Sequence, residues 1–141
     1  MATERGTNLD WRRTEHDKIE GSYMNQDHLL RDIVALTDGG GRNVGSTGHQ
    51  RAREYIVQRL TDLGLTPYTN DSFVLPYGPD EFAFGNIVGT ITGTNSEMAP
   101  ILLGAHYDTC GDIPGADDNA AAVAVLLGSA EILLSQACKR S

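Results

Sequence analysis

An α/β chain with a mixed sheet flanked by helices is what the sequence predicts, and three observations predict it. Apolar residues recur at helical spacing as far as Gly64 and at extended spacing beyond it. The run Ile101, Leu102, Leu103 is continuous rather than alternating, as in a strand covered on both faces inside an α/β sheet. Residues 120–134 then form an alanine-rich, almost wholly apolar stretch, a helix that has to be enclosed. The 141 residues suit one ordinary domain with a single core.

Taken in order, residues 1–22 are polar and mixed in charge, and read as a flexible N-terminal arm; 23–141 read as the folded portion. From Asp27, a plausible N-cap, Leu29, Leu30, Ile33, Val34 and Leu36 recur at helical spacing, which predicts a helix over Gln26–Thr37 closed by Gly39, Gly40 and Gly41. The turn GGGRNVGSTG follows. Ser46 or Thr47 can cap a second helix whose Ala52, Tyr55, Ile56, Leu60 and Leu63 share a face, with Gly64 as its left-handed C-terminal cap. Residues 65–75 suit a strand interrupted by Pro67, and the β-branched Ile87, Val88, Thr90 and Ile91 favour another over 84–92. The third strand, 101–103, ends at His106, Tyr107 and Asp108; a Gly and Pro loop joins it to Asp117 and the final helix.

Lys plus Arg number 11 and Asp plus Glu 19, a net charge of −8, which argues against a nucleic-acid or anionic-membrane partner, since either needs clustered basic residues. The chain lacks the roughly 18 consecutive apolar residues of a membrane span, and its first twenty residues carry charges where a leader needs an apolar stretch, so the expectation is a cytoplasmic protein. Two cysteines, Cys110 and Cys138, make no disulfide framework. A nucleotide-binding reading of GGGRNVGSTG fails, because no strand precedes it and no P-loop lysine follows.

Ionisable residues at the carboxyl end of a buried strand stand where α/β proteins place their sites. Alternation points His106 and Asp108 to the same side, so an imidazole holding a metal through one nitrogen can donate its other N–H to the Asp108 carboxylate. Asp117 and Asp118 open the final helix, whose positive dipole end favours anions. Taken singly, a histidine of this kind is more often structural and an aspartate there more often a cap. Gathered beside a dry core they are costly without a metal or an ion pair.

The runs ILLGAHYDT and PGADDNAAAVAVLL, preceded by NIVGTITG and GSTGHQRAREYIVQRLTDLGL, resemble the N-terminal half of the di-zinc aminopeptidase family, which also includes glutaminyl cyclases and glutamate carboxypeptidases. The resemblance implies a partial zinc-exopeptidase fold of the phosphorylase/hydrolase-like type, its C-terminal half missing. It implies His106 as a terminal zinc ligand, Asp117 as the carboxylate bridging two Zn2+ ions in a complete site, and Asp108 as the catalytic residue that orients the histidine. Asp118 becomes the neighbour whose peptide link to Asp117 is often strained. Arg42, Ser46 and Gly48 match the family's entry to its second helix and read as structural. Two zincs about 3.5–4 Å apart need a shared carboxylate, and together they acidify a water and polarise the scissile carbonyl.

The implied activity is metallo-aminopeptidase hydrolysis of N-terminal peptide bonds on a peptide or amino-acyl substrate. Two departures stand out. Ala121 and Ala122 occupy positions where many relatives have a small residue followed by Gly, and the sequence stops at Ser141. The family's general base, further carboxylate ligands and second histidine are expected beyond that point, so the chain alone is expected to be inactive and to bind zinc weakly. Two alternatives remain: a non-catalytic binding module of the same fold, and a glutaminyl-cyclase-like acyltransferase with one zinc. Substrate preference and oligomeric state are not legible.

Overall fold

The structure, a computed structural model, describes residues 23–69, 71–78, 84–136 and 138. The arm expected over 1–22 lies outside them. In chain order the described elements are α1 (Gln26–Thr37), α2 (Thr47–Asp62), β1 (Thr66–Pro67), β2 (Val74–Pro76), β3 (Gly85–Ile87), β4 (Gly89–Thr90), a single π-helical turn (Ala116–Ala120) and α3 (Ala121–Leu134).

Helix α1 has the span the sequence predicts but starts from a different cap. Asn25, not Asp27, accepts from the backbone N–H groups of Asp27 (2.9 Å) and His28 (3.4 Å), which leaves Asp27 in the first turn facing the helix dipole. Its inward stripe is Leu29, Asp32, Ile33 and Leu36, while Leu30 and Val34, expected on the core face, are exposed. Position 32 explains the rotation. The Asp32 carboxylate is 1% exposed and sits between the helices, accepting from Tyr55 Oη (2.6 Å), Arg59 Nε (3.1 Å) and Arg59 Nη2 (3.4 Å) of α2. A charged member of the stripe is tolerated because its oxygens are filled by donors. Burial, with the hydrogen bond to Asp32 adding to it, pushes the Tyr55 phenol above its ordinary value.

Helix α2 keeps its predicted cap: Ser46 Oγ accepts from His49 N–H at 3.1 Å, and Gly64 follows the helix at φ +77°. Leu36 of α1, Ala52, Ile56 and Leu60 of α2, Phe73, and Ala120, Val123 and Leu127 at and within α3 form the core. α3 buries one face through Val123, Ala124, Leu127 and Gly128, while Val125 and Leu134 are exposed; its enclosure is thus partial.

The two predicted strands over 65–75 and 84–92 exist as a broken antiparallel pair. Thr66 faces Thr90 and Pro67 faces Gly89; Val74, Leu75 and Pro76 face Ile87, Asn86 and Gly85. Between the ladders, Val88 N–H donates to Phe73 O and the Val88 carbonyl accepts from Tyr68 N–H. Pro67, lacking an N–H, cannot extend the first ladder.

The third predicted strand is not formed. Residues 101–103 pair with no strand among the described residues, and Leu102 is 88% exposed, with Ile101 and Leu103 also exposed. The described sheets are antiparallel pairs rather than one mixed sheet with a covered centre. The α/β class stands. Among the described residues no helix is long and apolar enough to cross a membrane.

Candidate functional site

The segment 106–109 crosses the end of α2 with alternating side chains, as extended backbone requires. Tyr107 turns inward: its ring stacks on His49 of α2 with centroids 4.8 Å apart and planes 10° from parallel, and its hydroxyl donates to Gly85 O at 3.5 Å. That anchoring leaves His106 and Asp108 together on the rim. His106 Nδ1 lies 3.3 Å from Asp108 Oδ1 and 3.2 Å from the Asp108 carbonyl.

The opposite nitrogen faces the other loop. His106 Nε2 stands 3.1 Å from Asp118 Oδ1, so the imidazole is held between two carboxylates. Sequence reasoning selected Asp117 as the metal carboxylate and treated Asp118 as its neighbour; the structure brings Asp118 to the histidine. Asp117 is exposed and forms no ion pair among the described residues. The reason is local backbone shape. Gly115 enters the turn at φ +59°, and Asp118 (φ −115°, ψ 89°) and Asn119 (φ −138°, ψ 35°) leave helical geometry inside it. The Asp118–Asn119 peptide is cis. An ordinary helical start does not swing the second carboxylate toward His106; this turn does.

Arg42, from the glycine-rich connection, is 0% exposed. Its Nε donates to Tyr107 O (2.7 Å), Nη1 to Leu36 O (3.0 Å) and to Pro114 O, and Nη2 to Gly115 O (2.9 Å). Its own N–H donates to Thr109 Oγ1 (2.7 Å), and its carbonyl accepts from Thr109 N–H (3.3 Å). Burial pushes the guanidinium below its ordinary value, opposed by Asp108 and Asp118. The sequence reading of Arg42 as structural found no partner for it; a single arginine inside a run of glycines was the only signal available.

Gly45, Ser46, His49, Gln50, Arg53 and Glu54 line a cavity of about 340 Å³ on the α2 side of Tyr107. Burial lowers the His49 imidazole from its ordinary value, with Arg53 lowering it further and Asp108 opposing both. His49 therefore stays neutral in the fold while the unfolded chain protonates near pH 6.5. Stability from this residue is complete above about pH 6.5 and is lost as pH falls from there toward the lowered folded value. Thermal melts at about pH 7.5 and 5.5 should show that loss, and His49→Gln should reduce the difference; an unchanged difference would remove His49 as its source.

Among the described residues no group of three or more His, Cys, Asp or Glu side chains is arranged to hold a metal ion. His106 and Asp118 are nonetheless a nitrogen and oxygen donor pair of the kind zinc takes, with Asp108 behind the histidine.

Residues 86–141 match the model of peptidase family M28. The chain is 29% identical over 115 residues to a probable leucine aminopeptidase of Arthroderma otae, covering 74% of this chain and 29% of that one. It is 35% identical over 99 residues to a glutaminyl-peptide cyclotransferase of Drosophila melanogaster, covering 67% and 27%. It is 28% identical over 122 residues to a vacuolar membrane protease of Candida dubliniensis, covering 79% and 13%. The chain thus spans less than a third of the length of these relatives. The matched stretch contains the HYD segment and the PGADDN turn described above, and it is in residues 86–141 that the chain is similar to peptidase family M28.

Proposed function

We propose that this chain is part of a zinc aminopeptidase of the zinc-exopeptidase fold, acting on N-terminal peptide bonds, and that it supplies one side of the metal centre. The observation that carries this reading is the His106 imidazole set between Asp108 and Asp118 at hydrogen-bonding distances. In the proposed centre His106 Nε2 and Asp118 would hold zinc, Asp108 fixes the imidazole through Nδ1, and Asp117, which forms no ion pair among the described residues, is the less suited carboxylate. Bound zinc supplies Lewis acidity toward the scissile carbonyl and lowers the pKa of an attacking water. Zinc sites commonly need three or four protein ligands. Two facing donors are therefore expected to give the 141-residue chain only weak zinc affinity and no leucyl-amide hydrolysis above the metal-only background.

Calorimetric titration of the full chain with zinc tests the reading. Weak binding should disappear in His106→Ala and should fall further in Asp118→Asn than in Asp117→Asn. Binding indifferent to His106→Ala would overturn it. The match to a glutaminyl-peptide cyclotransferase favours a second reading, acyl transfer on the same ligands. The two differ in the group that accepts the acyl carbon, water or the substrate's own amine, so analysis of products separates them.

A further inference from the structure

We propose that Arg42 is a positioning residue for this centre, a single guanidinium that sets the separation and orientation of the two segments carrying the metal-facing side chains. The proposal rests on the zinc reading above for what those segments do, and on hydrogen bonding alone for how they are held.

A buried arginine ordinarily satisfies a buried carboxylate, and this one has no carboxylate hydrogen-bonded to it. Its side-chain donors all go to backbone carbonyls. One belongs to Leu36 at the end of α1 and would be enough for a residue that merely caps a helix. The other three belong to Tyr107, which lies between His106 and Asp108, and to Pro114 and Gly115, which lead into the turn bearing Asp117 and Asp118. The planar fork of donors has the width to bridge two chain segments at once. The backbone of Arg42 adds two hydrogen bonds to Thr109, which ties the HYD segment to the arginine from a second direction.

The charge has its own part. Asp108 and Asp118 approach one imidazole from opposite sides, and both favour the charged form of Arg42 against its burial. A neutral residue filling the same volume would withdraw a donor from each of these four carbonyls, of which Gly115 O would keep the Ala120 N–H.

Arg42→Lys separates geometry from charge, because an ammonium keeps the charge but is a point donor that cannot span both segments. In the metal-free full chain, amide exchange at Thr109 and Ala120 should accelerate at least about tenfold while amides at Ile56 and Leu60 of α2 keep wild-type protection. Zinc affinity of the same variant should fall by about 10- to 100-fold. Unchanged exchange at Thr109 and Ala120, or equal acceleration throughout the chain, would overturn the proposal, as would wild-type zinc affinity in the variant. If Arg42→Lys does not fold, the wild-type chain decides: the Arg42 Nε–H should exchange slowly with water and show scalar coupling across the hydrogen bond to the Tyr107 carbonyl, and a rapidly exchanging Nε–H without coupling would overturn it. His106→Ala is titrated alongside. Zinc binding insensitive to His106→Ala sinks the metal reading, and the metal-free exchange then decides Arg42.

Discussion

Replacing Asp32 by alanine lowers the unfolding free energy by about 3–5 kcal/mol, the usual cost of removing one partner from a buried ion pair. The expectation rests on what is left behind. Asp32 receives the Tyr55 hydroxyl and two nitrogens of Arg59, and the Arg59 side chain is itself largely shielded. Alanine would strand that guanidinium between α1 and α2 and leave the phenol without its acceptor. Asp32→Asn should cost less, because an amide oxygen can still accept from Tyr55 while only the charge is lost. A double replacement, Asp32→Leu with Arg59→Met, should recover much of the loss by removing both charges. Urea denaturation of the variants measures this. An Asp32→Ala chain with a wild-type midpoint and slope would mean that the helices are held by their apolar contacts alone.

The second large effect is expected at Gly115. Its φ of +59° costs an L-residue about 1–2 kcal/mol before any contact is considered. A Cβ there would also collide with Asp118 O and Thr109 Cγ2 and press on Arg42 Nη2. Forcing atoms into filled space adds about 1–3 kcal/mol. Gly115→Ala should therefore be destabilised by several times as much as Gly45→Ala, which shares a positive φ of 84° but has open space where its Cβ would go. It should also weaken zinc binding, because one of the colliding atoms, Asp118 O, belongs to the turn that presents the Asp118 carboxylate. Equal melting temperatures for the two variants would show that the turn relaxes freely around position 115.

Much of this was legible in the sequence, and what was not has identifiable causes. Helical period and the Ser46 cap located α1 and α2 because those signals are local. Asn25 displaced Asp27 as the α1 cap because both residue types accept equally well, and spacing to the first apolar residue does not choose between them. The apolar run at 101–103 marked an affinity for a covered strand position, but covering is a long-range event that the run itself does not decide, and its residues are exposed. His106 and Asp108 followed from alternation along extended backbone. Asp118 did not, since its direction is decided by dihedral angles inside a single irregular turn. The carbonyl partners of Arg42 were invisible for a related reason: backbone acceptors carry no residue identity.

Those partners have a kinetic meaning. Apart from Leu36, the carbonyls bound by the Arg42 side chain lie 65, 72 and 73 residues away along the chain. Closing loops of that length costs entropy that contacts within and between α1 and α2 do not incur. The two helices can meet through neighbouring sequence, whereas the segments around His106 and Asp118, close to each other along the chain, reach Arg42 only by closing a loop that contains all four strands. Assembly of the centre is thus a late event on the folding path. Its opening, conversely, need not wait for the helices to separate.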